Sequence, residues 1–163
     1  MGATGVLLRK LRAKISDEPT GFSWVEEGKL AASGLPASRS QVRWLTEHGV
    51  NSILSLTEAP LPERWIEGVG IDYKHVPMKD HGQPSVEELR EATSYVNGER
   101  GRGRVVLVHC LAGKGRTGCV LATLMILDGK PAGEAIKIIR TKRPGSIESG
   151  QENALFDFAA SVG

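Results

Sequence analysis

Cysteine is scarce in this chain: two residues in 163. So few thiols cannot make a disulfide framework, and the expectation is a reducing, cytoplasmic setting. Charge of one sign is lacking too. Lys and Arg number 21 against 19 Asp and Glu, a net +2. That is too mild for a nucleic-acid protein, and a basic-patch reading of the whole chain fails. Long hydrophobic runs are absent. Nothing approaches the roughly 20 apolar residues of a membrane-spanning helix. The apolar run Val6 to Leu8 is too short for a signal-peptide core, and Met1-Gly2 lacks the downstream Ser/Thr of a myristoylation motif. Stable membrane association is therefore not expected. Internal repeats and low-complexity tracts do not stand out.

What is present is ordinary globular material, 40% hydrophobic and 25% charged. A chain of this length buries roughly 70% of its unfolded surface and can hold a core without staples. The expected organisation is an N-terminal arm over 1–20 and one domain over 21–163. Val6, Leu7, Leu8, Leu11 and Ile15, with basic residues around them, fit an amphipathic helix in the arm. "SDEPTG" then breaks the chain.

Strands are expected near Phe22–Glu26 and Lys29–Ser33. Ser38 caps a helix that turns Val42 and Leu45 inward and stops at Gly49. "VNSILSLT" reads as a buried strand, a short helix follows near Glu63–Glu67, and "IDYKHVPM" is a strand ending at Pro77. Ser85 and Glu88 make a capping box for a helix to about Gly98, with "NGERGRGR" as a basic turn. "VVLVHC" is continuously apolar, the pattern of a parallel strand buried on both faces. Helices follow over "RTGCVLATLMILDG", over the segment opened by Pro131 and closed by Pro144, and over "QENALFDFAASV" with Leu155, Phe156 and Ala159 inward. Strands alternating with helices predict an α/β fold, a mostly parallel sheet of four to five strands flanked by helices.

The informative stretch is "VHCLAGKGRTG", Val108 to Gly118. A buried strand ends at His109-Cys110, a glycine-bearing turn follows, and a helix begins near Arg116. Ligands of open α/β sheets bind beyond the carboxyl ends of the strands. A strand-to-helix loop turns successive N–H groups into one concavity, and the helix dipole adds about half a positive charge there. A thiol in such a nest feels the field that draws phosphate, which favours the nucleophilic thiolate. Arg116 brings a planar fork for two phosphate oxygens. Thr117 offers a hydroxyl to the sulfur when it later departs. A nucleotide-binding P-loop would need Gly-Lys-Ser/Thr, and here Gly115 follows Lys114.

"HCLAGKGRTG" resembles the H-C-x-x-x-x-x-R-S/T signature of the cysteine-dependent protein tyrosine phosphatase superfamily. The order of "FSWVEEGKLAASGLP", "LSLTE", "HVPMKD", the signature and "RPGSIE…QENALFDF" is similar to that of small atypical dual-specificity phosphatases and their archaeal relatives. The resemblance implies a phosphatase-like fold, a phosphocysteine intermediate, no cofactor and no metal. It implies that Leu111, Ala112, Gly113, Lys114, Gly115 and Arg116 bind phosphate. It implies a general acid on a mobile loop, for which Asp80 in "VPMKDHGQPS" is the candidate, with Lys79 standing where relatives often have proline. His81 beside it is either a solvated loop histidine or a substitute acid.

A glutamine in relatives positions the hydrolytic water, and Gln151 is the best match; Glu148 and Glu152 are alternatives. Glu58 is expected to hydrogen-bond Arg116 or to lie near the loop. His109 is expected behind the nest, tuning the thiol, and Cys119 as a core thiol. No aromatic-walled insertion deepens the site, so a shallow pocket would admit phosphotyrosine, phosphoserine and phosphothreonine of a phosphoprotein substrate. A phosphoinositide or inositol phosphate is the rival substrate, on the strength of Lys114, with Leu111 where such enzymes usually carry a second lysine. A catalytically dead phosphopeptide-binding module is the third reading. The protein is expected to be a monomer.

Overall fold

The structure is a computed structural model that describes residues 17–163. The helix expected over Val6–Ile15 lies outside the described residues. β1 (Ser23–Glu26) and β2 (Leu30–Ser33) form a hairpin, and α1 (Arg39–Glu47) leads to β3 (Ser52–Ser55). The short α2 (Glu63–Ile66), β4 (Asp72–His75), α3 (Val86–Gly101) and β5 (Val106–His109) follow. The chain finishes with α4 (Gly115–Leu127), α5 (Ala132–Lys142), a 3-10 turn over Ser149–Gln151 and α6 (Glu152–Val162).

The sheet order is β1-β2-β5-β3-β4, with β1 antiparallel to β2 and the other three pairings parallel. β5 is central, and all four of its residues are buried. Alternation sends Val106 and Val108, with Leu30, Ala32 and Leu54, to the side packed on α3, α4, α5 and α6. Leu107, Ala31 and Ile53 face the other side, against Val42 and Leu45 of α1. Both faces are covered, which is why the strands read as unbroken apolar runs rather than alternating ones. β5 pairs His109 with Ser33 on one side and Ser55 on the other. This fully buried polar row marks the carboxyl edge of the sheet, and the signature loop rises from it.

Caps fall where the sequence places them. The Ser38 hydroxyl accepts from Gln41 N, and Ser85 and Glu88 form a reciprocal capping box. Two expectations are corrected. α3 does not end at Gly98 but runs through it to Gly101, so more than half of the expected basic turn is helix. An exposed mid-helix glycine costs only about 1 kcal/mol, and buried Glu99 anchors the last turn. The break comes at Gly103, with φ +77°. In α6, Phe156 points outward and is 49% exposed, while Phe158 is buried with Ala154 and Leu155. Ala154 and Phe158 each lie two positions, about 200°, from Phe156 on the helix, so one stripe cannot hold all three.

Candidate active site

β5 delivers Cys110 to the carboxyl edge, and the chain turns through Leu111–Lys114 into α4. The first turn of α4 has no side-chain cap at Lys114, so its leading N–H groups open toward the loop. A cavity of about 210 Å³ sits there. Cys110, Leu111, Ala112, Lys114, Gly115 and Arg116 line one side of it; Asp80, His81, Glu148 and Gln151 line the other. Cys110 and Arg116 are only 2% and 3% exposed, whereas Leu111 stands out at the rim at 56%.

Gly113 has a separate place in the loop. It does not line the cavity but closes the turn behind it, with φ +74°. A Cβ at this position would come within 2.4 Å of the Ser33 carbonyl oxygen, so only glycine lets the loop lie on the edge of β2.

The Arg116 guanidinium is held by groups that leave the sheet beside it. Nη1 donates to Met78 O at 3.1 Å and to Leu56 O at 3.5 Å, and Nη2 lies 3.0 Å from Asp80 Oδ1. A buried arginine has five donors to satisfy, and these carbonyls aim the fork. Asp80 and Arg116 are therefore neighbours, 36 positions apart in sequence. Glu58 does not hydrogen-bond Arg116. Its Oε1 accepts instead from the backbone N of Asp80, at 3.0 Å, tying the loop after β3 to the acid loop. The loop after β3 runs beside the acid loop, so the nearer donor is the Asp80 backbone.

Across the cavity, His81 Nδ1 donates to Glu148 Oε1 at 2.7 Å and Nε2 lies 3.6 Å from Asp80 Oδ2. The hydrogen bond to Glu148 and the charges of Asp80 and Glu148 raise the His81 pKa. Gln151 is buried, its Nε2 donating to Gly82 O at 3.1 Å and its Oε1 accepting from Glu148 N at 3.0 Å. It reaches the cavity while bracing the acid loop. Glu152, the other alternative, is outside the cavity and paired with Arg140 at 2.7 Å.

Behind the loop, His109 is fully buried. Its Nδ1 meets Cys110 O at 3.1 Å and its Nε2 meets the Ser55 hydroxyl. A carbonyl can only accept, so Nδ1 carries the proton and the Ser55 hydroxyl donates to Nε2. Burial pushes the ring down to about 4, which keeps it neutral. Burial pushes the Cys119 thiol up to about 12, consistent with a core thiol; its Sγ lies 3.8 Å from Gln151 Oε1. Thr117 Oγ1 is buried without a hydrogen-bond partner, so a bond to the Cys110 sulfur is not made in this structure.

Sequence reasoning missed Arg143. It lies immediately past the end of α5 and is 8% exposed. Its Nη2 donates to Gly113 O at 2.7 Å; its Nη1 donates to Gly21 O at 3.1 Å and to the Ser23 hydroxyl. It fastens the signature loop to the start of β1. Its only signal in the sequence is an arginine before Pro-Gly, a pattern that by itself reads as a solvated helix end.

The geometry combines a cysteine and an arginine in an anion cradle with a carboxyl group over it. Known proteins are similar to this chain in sequence and in fold. Protein tyrosine phosphatase type IVA 3 of Homo sapiens is 30% identical over 109 residues, 66% of this chain and 63% of that protein. Dual specificity protein phosphatase Mpk3 of Drosophila melanogaster is 32% identical over 102 residues, 61% of this chain but 25% of its own length. The chain thus spans less than two thirds of these relatives. Among solved structures, that of Tk-PTP in the active form superposes with a TM-score of 0.78 at 26% identity, covering 86% of this chain and 97% of that one. Residues 19–156 match the family described as Swiss Army Knife protein, DSP-PTPase phosphatase domain (PTP-SAK), and the chain belongs to that family.

Proposed function

We propose that the protein hydrolyses phosphate monoesters, on phosphotyrosine and also on phosphoserine and phosphothreonine of proteins, through a phosphocysteine intermediate. The observation that carries this reading is the meeting of Cys110, Arg116 and Asp80 at one small cavity at the start of α4. The Cys110 thiolate attacks phosphorus as the ester P–O bond breaks, and Asp80 gives its proton to the departing oxygen. Arg116 and the N–H groups of the loop hold the equatorial oxygens. Water then attacks phosphorus, Asp80 takes its proton, the P–S bond breaks, and phosphate leaves with the thiolate restored. The unpartnered Thr117 hydroxyl turns to the sulfur in that second step. Gln151 supports the step from the cavity wall. A reducing, cytoplasmic setting keeps such a nucleophile as a thiol, and both cysteines are free. Among the described residues no helix is long and apolar enough to cross a membrane.

Among the described residues no Phe, Tyr or Trp lines this cavity, and Trp65 lines only the adjoining one that shares Asp80, Leu111 and Arg116, which favours a shallow site open to all three phosphoresidues. A second reading, an inositol phosphate or phosphoinositide substrate, draws on Lys114, which also lines the cavity. Exposed Leu111 offers such a substrate no second cation. Phosphate release from phosphotyrosyl peptides, phosphothreonyl peptides and inositol phosphates, with Cys110→Ser as control, tests both. The expected result is release from both kinds of peptide and a loss of at least ~100-fold in the variant, the uncatalysed barrier being so high. Release from inositol phosphates alone favours the second reading, and activity surviving in Cys110→Ser removes the nucleophile.

A further inference from the structure

Besides the pairing of Asp80 with Arg116, the loop that carries Asp80 has three ties to the rest of the site. The Asp80 backbone is bound by Glu58, Gly82 O is bound by Gln151, and His81 reaches Glu148. The third tie is unlike the others. His81 stands between two carboxylates, 2.7 Å from Glu148 Oε1 and 3.6 Å from Asp80 Oδ2. An imidazole can present an N–H to both only when it is charged. Its backbone has φ +58°, a left-handed conformation that disfavours a residue with a Cβ although glycine follows at 82. The turn is closed by Gly82 N donating to Lys79 O and by His81 N donating to Asp80 Oδ1, both at 3.0 Å, and the side chain adds a hold on Glu148.

We propose that His81 is a positioning residue. As an imidazolium it bridges Asp80 to Glu148 and keeps the acid loop closed over the phosphate cavity, so that loop closure weakens as His81 loses its proton. Sequence reasoning gave His81 the role of a substitute acid and Glu148 that of an alternative to Gln151; the geometry assigns them a latch instead. Two charged groups favour the imidazolium, Asp80 and Glu148. Arg116 opposes it, and Lys114 lines the same cavity. Attraction outweighs repulsion, and the raised pKa of His81 agrees with that balance. The bridge forms below the ordinary histidine range and is lost as pH rises through the raised value. His81 is three-quarters exposed, so its effect is small, about two- to fivefold in the closed fraction.

The inference rests on the phosphatase reading only for its kinetic arm. In that arm, His81→Ala and Glu148→Gln are compared with wild type on phenyl phosphate, whose leaving group needs a proton, and on p-nitrophenyl phosphate, which needs it far less. We expect kcat on phenyl phosphate to fall about two- to fivefold with KM little changed. The defect should be smaller on p-nitrophenyl phosphate and absent when His81→Ala is added to Asp80→Asn. A loss of a hundredfold or more confined to His81→Ala makes His81 itself the acid and overturns the proposal. So does an equal loss on both substrates.

The second arm needs no substrate. Amide exchange of residues 79–82 should quicken in both variants at pH 6, and in wild type between pH 6 and 8 by more than the intrinsic rate rises. The NMR titration of the His81 ring should move down in Glu148→Gln. Unchanged exchange, or an unmoved His81 titration, overturns the latch even in an active enzyme. Wild type inert toward both phosphates would instead fail the phosphatase reading and leave the exchange arm to decide the latch.

Discussion

At the residue scale, the site turns on one carboxyl group beside one guanidinium. Asp80 meets Arg116 at 3.0 Å and is steadied by Glu58 through its own backbone. If Asp80 supplies the proton to the departing oxygen, Asp80→Asn lowers kcat on phenyl phosphate about 100- to 10,000-fold. Because asparagine has no proton to lose, the alkaline fall of the wild-type pH–rate profile should flatten. The acidic side should persist, as it reports the nucleophile and the substrate. An unchanged alkaline limb in the variant means that another group is the acid. That Cys110 follows a strand, Arg116 opens a helix and Asp80 lies on a loop was legible in the sequence, because each lies in a short segment whose local pattern announces a strand end or a loop. Partners were not. Glu58 and Asp80 are separated by α2 and β4, and only the pairing of β3 with β4 sets their loops side by side.

At the scale of elements, the signature loop is fixed from behind as well as in front. Arg143 binds the Gly113 and Gly21 carbonyls, joining the end of α5, the loop and the start of β1. Arg143→Ala leaves these carbonyls without their donor and should lower stability by about 1 to 3 kcal/mol. Lysine should restore it only in part, because a single ammonium cannot reproduce the fork. Urea unfolding gives the stability, and kcat should fall as well because the loop loses its anchor. A variant that unfolds as wild type does and turns over as fast would remove Arg143 from this role. Sequence could not reveal Arg143, since a charged residue at a helix end is ordinarily solvated. The inward face of α6 was similarly hidden. Phe156 and Phe158 are equally apolar, and only the position of the stripe decides which is buried.

At the scale of the whole molecule, pH acts through buried and exposed histidines in opposite senses. His109 is neutral in the fold, with its pKa lowered from 6.5 to about 4 by burial. Below pH 6.5 the unfolded chain takes up a proton that the folded chain refuses. Stability therefore falls as pH drops from about 6.5 toward 4, by roughly 3 kcal/mol in total from this residue. Urea midpoints between pH 7 and 5 should show the slope, and His109→Asn should reduce it; an equal slope in the variant assigns the effect elsewhere. His81, with its pKa raised, contributes in the other direction, its stabilisation being lost as pH rises.

Charge stabilisation by Arg116 and backbone N–H groups also predicts that dialysis against a chelator leaves activity intact. A loss restored by divalent ions would contradict it.

The sequence by itself determined the α/β class, the strand-to-helix signature loop and its cysteine and arginine. These depend on runs of neighbouring residues whose periodicity and glycines act locally. Only the tertiary structure decided that Glu58 steadies Asp80, that His81 meets Glu148, that Gly113 lies behind the cavity and that Arg143 clamps the loop. Those contacts join segments that sheet order and helix packing bring together, and no local pattern encodes the distance between them.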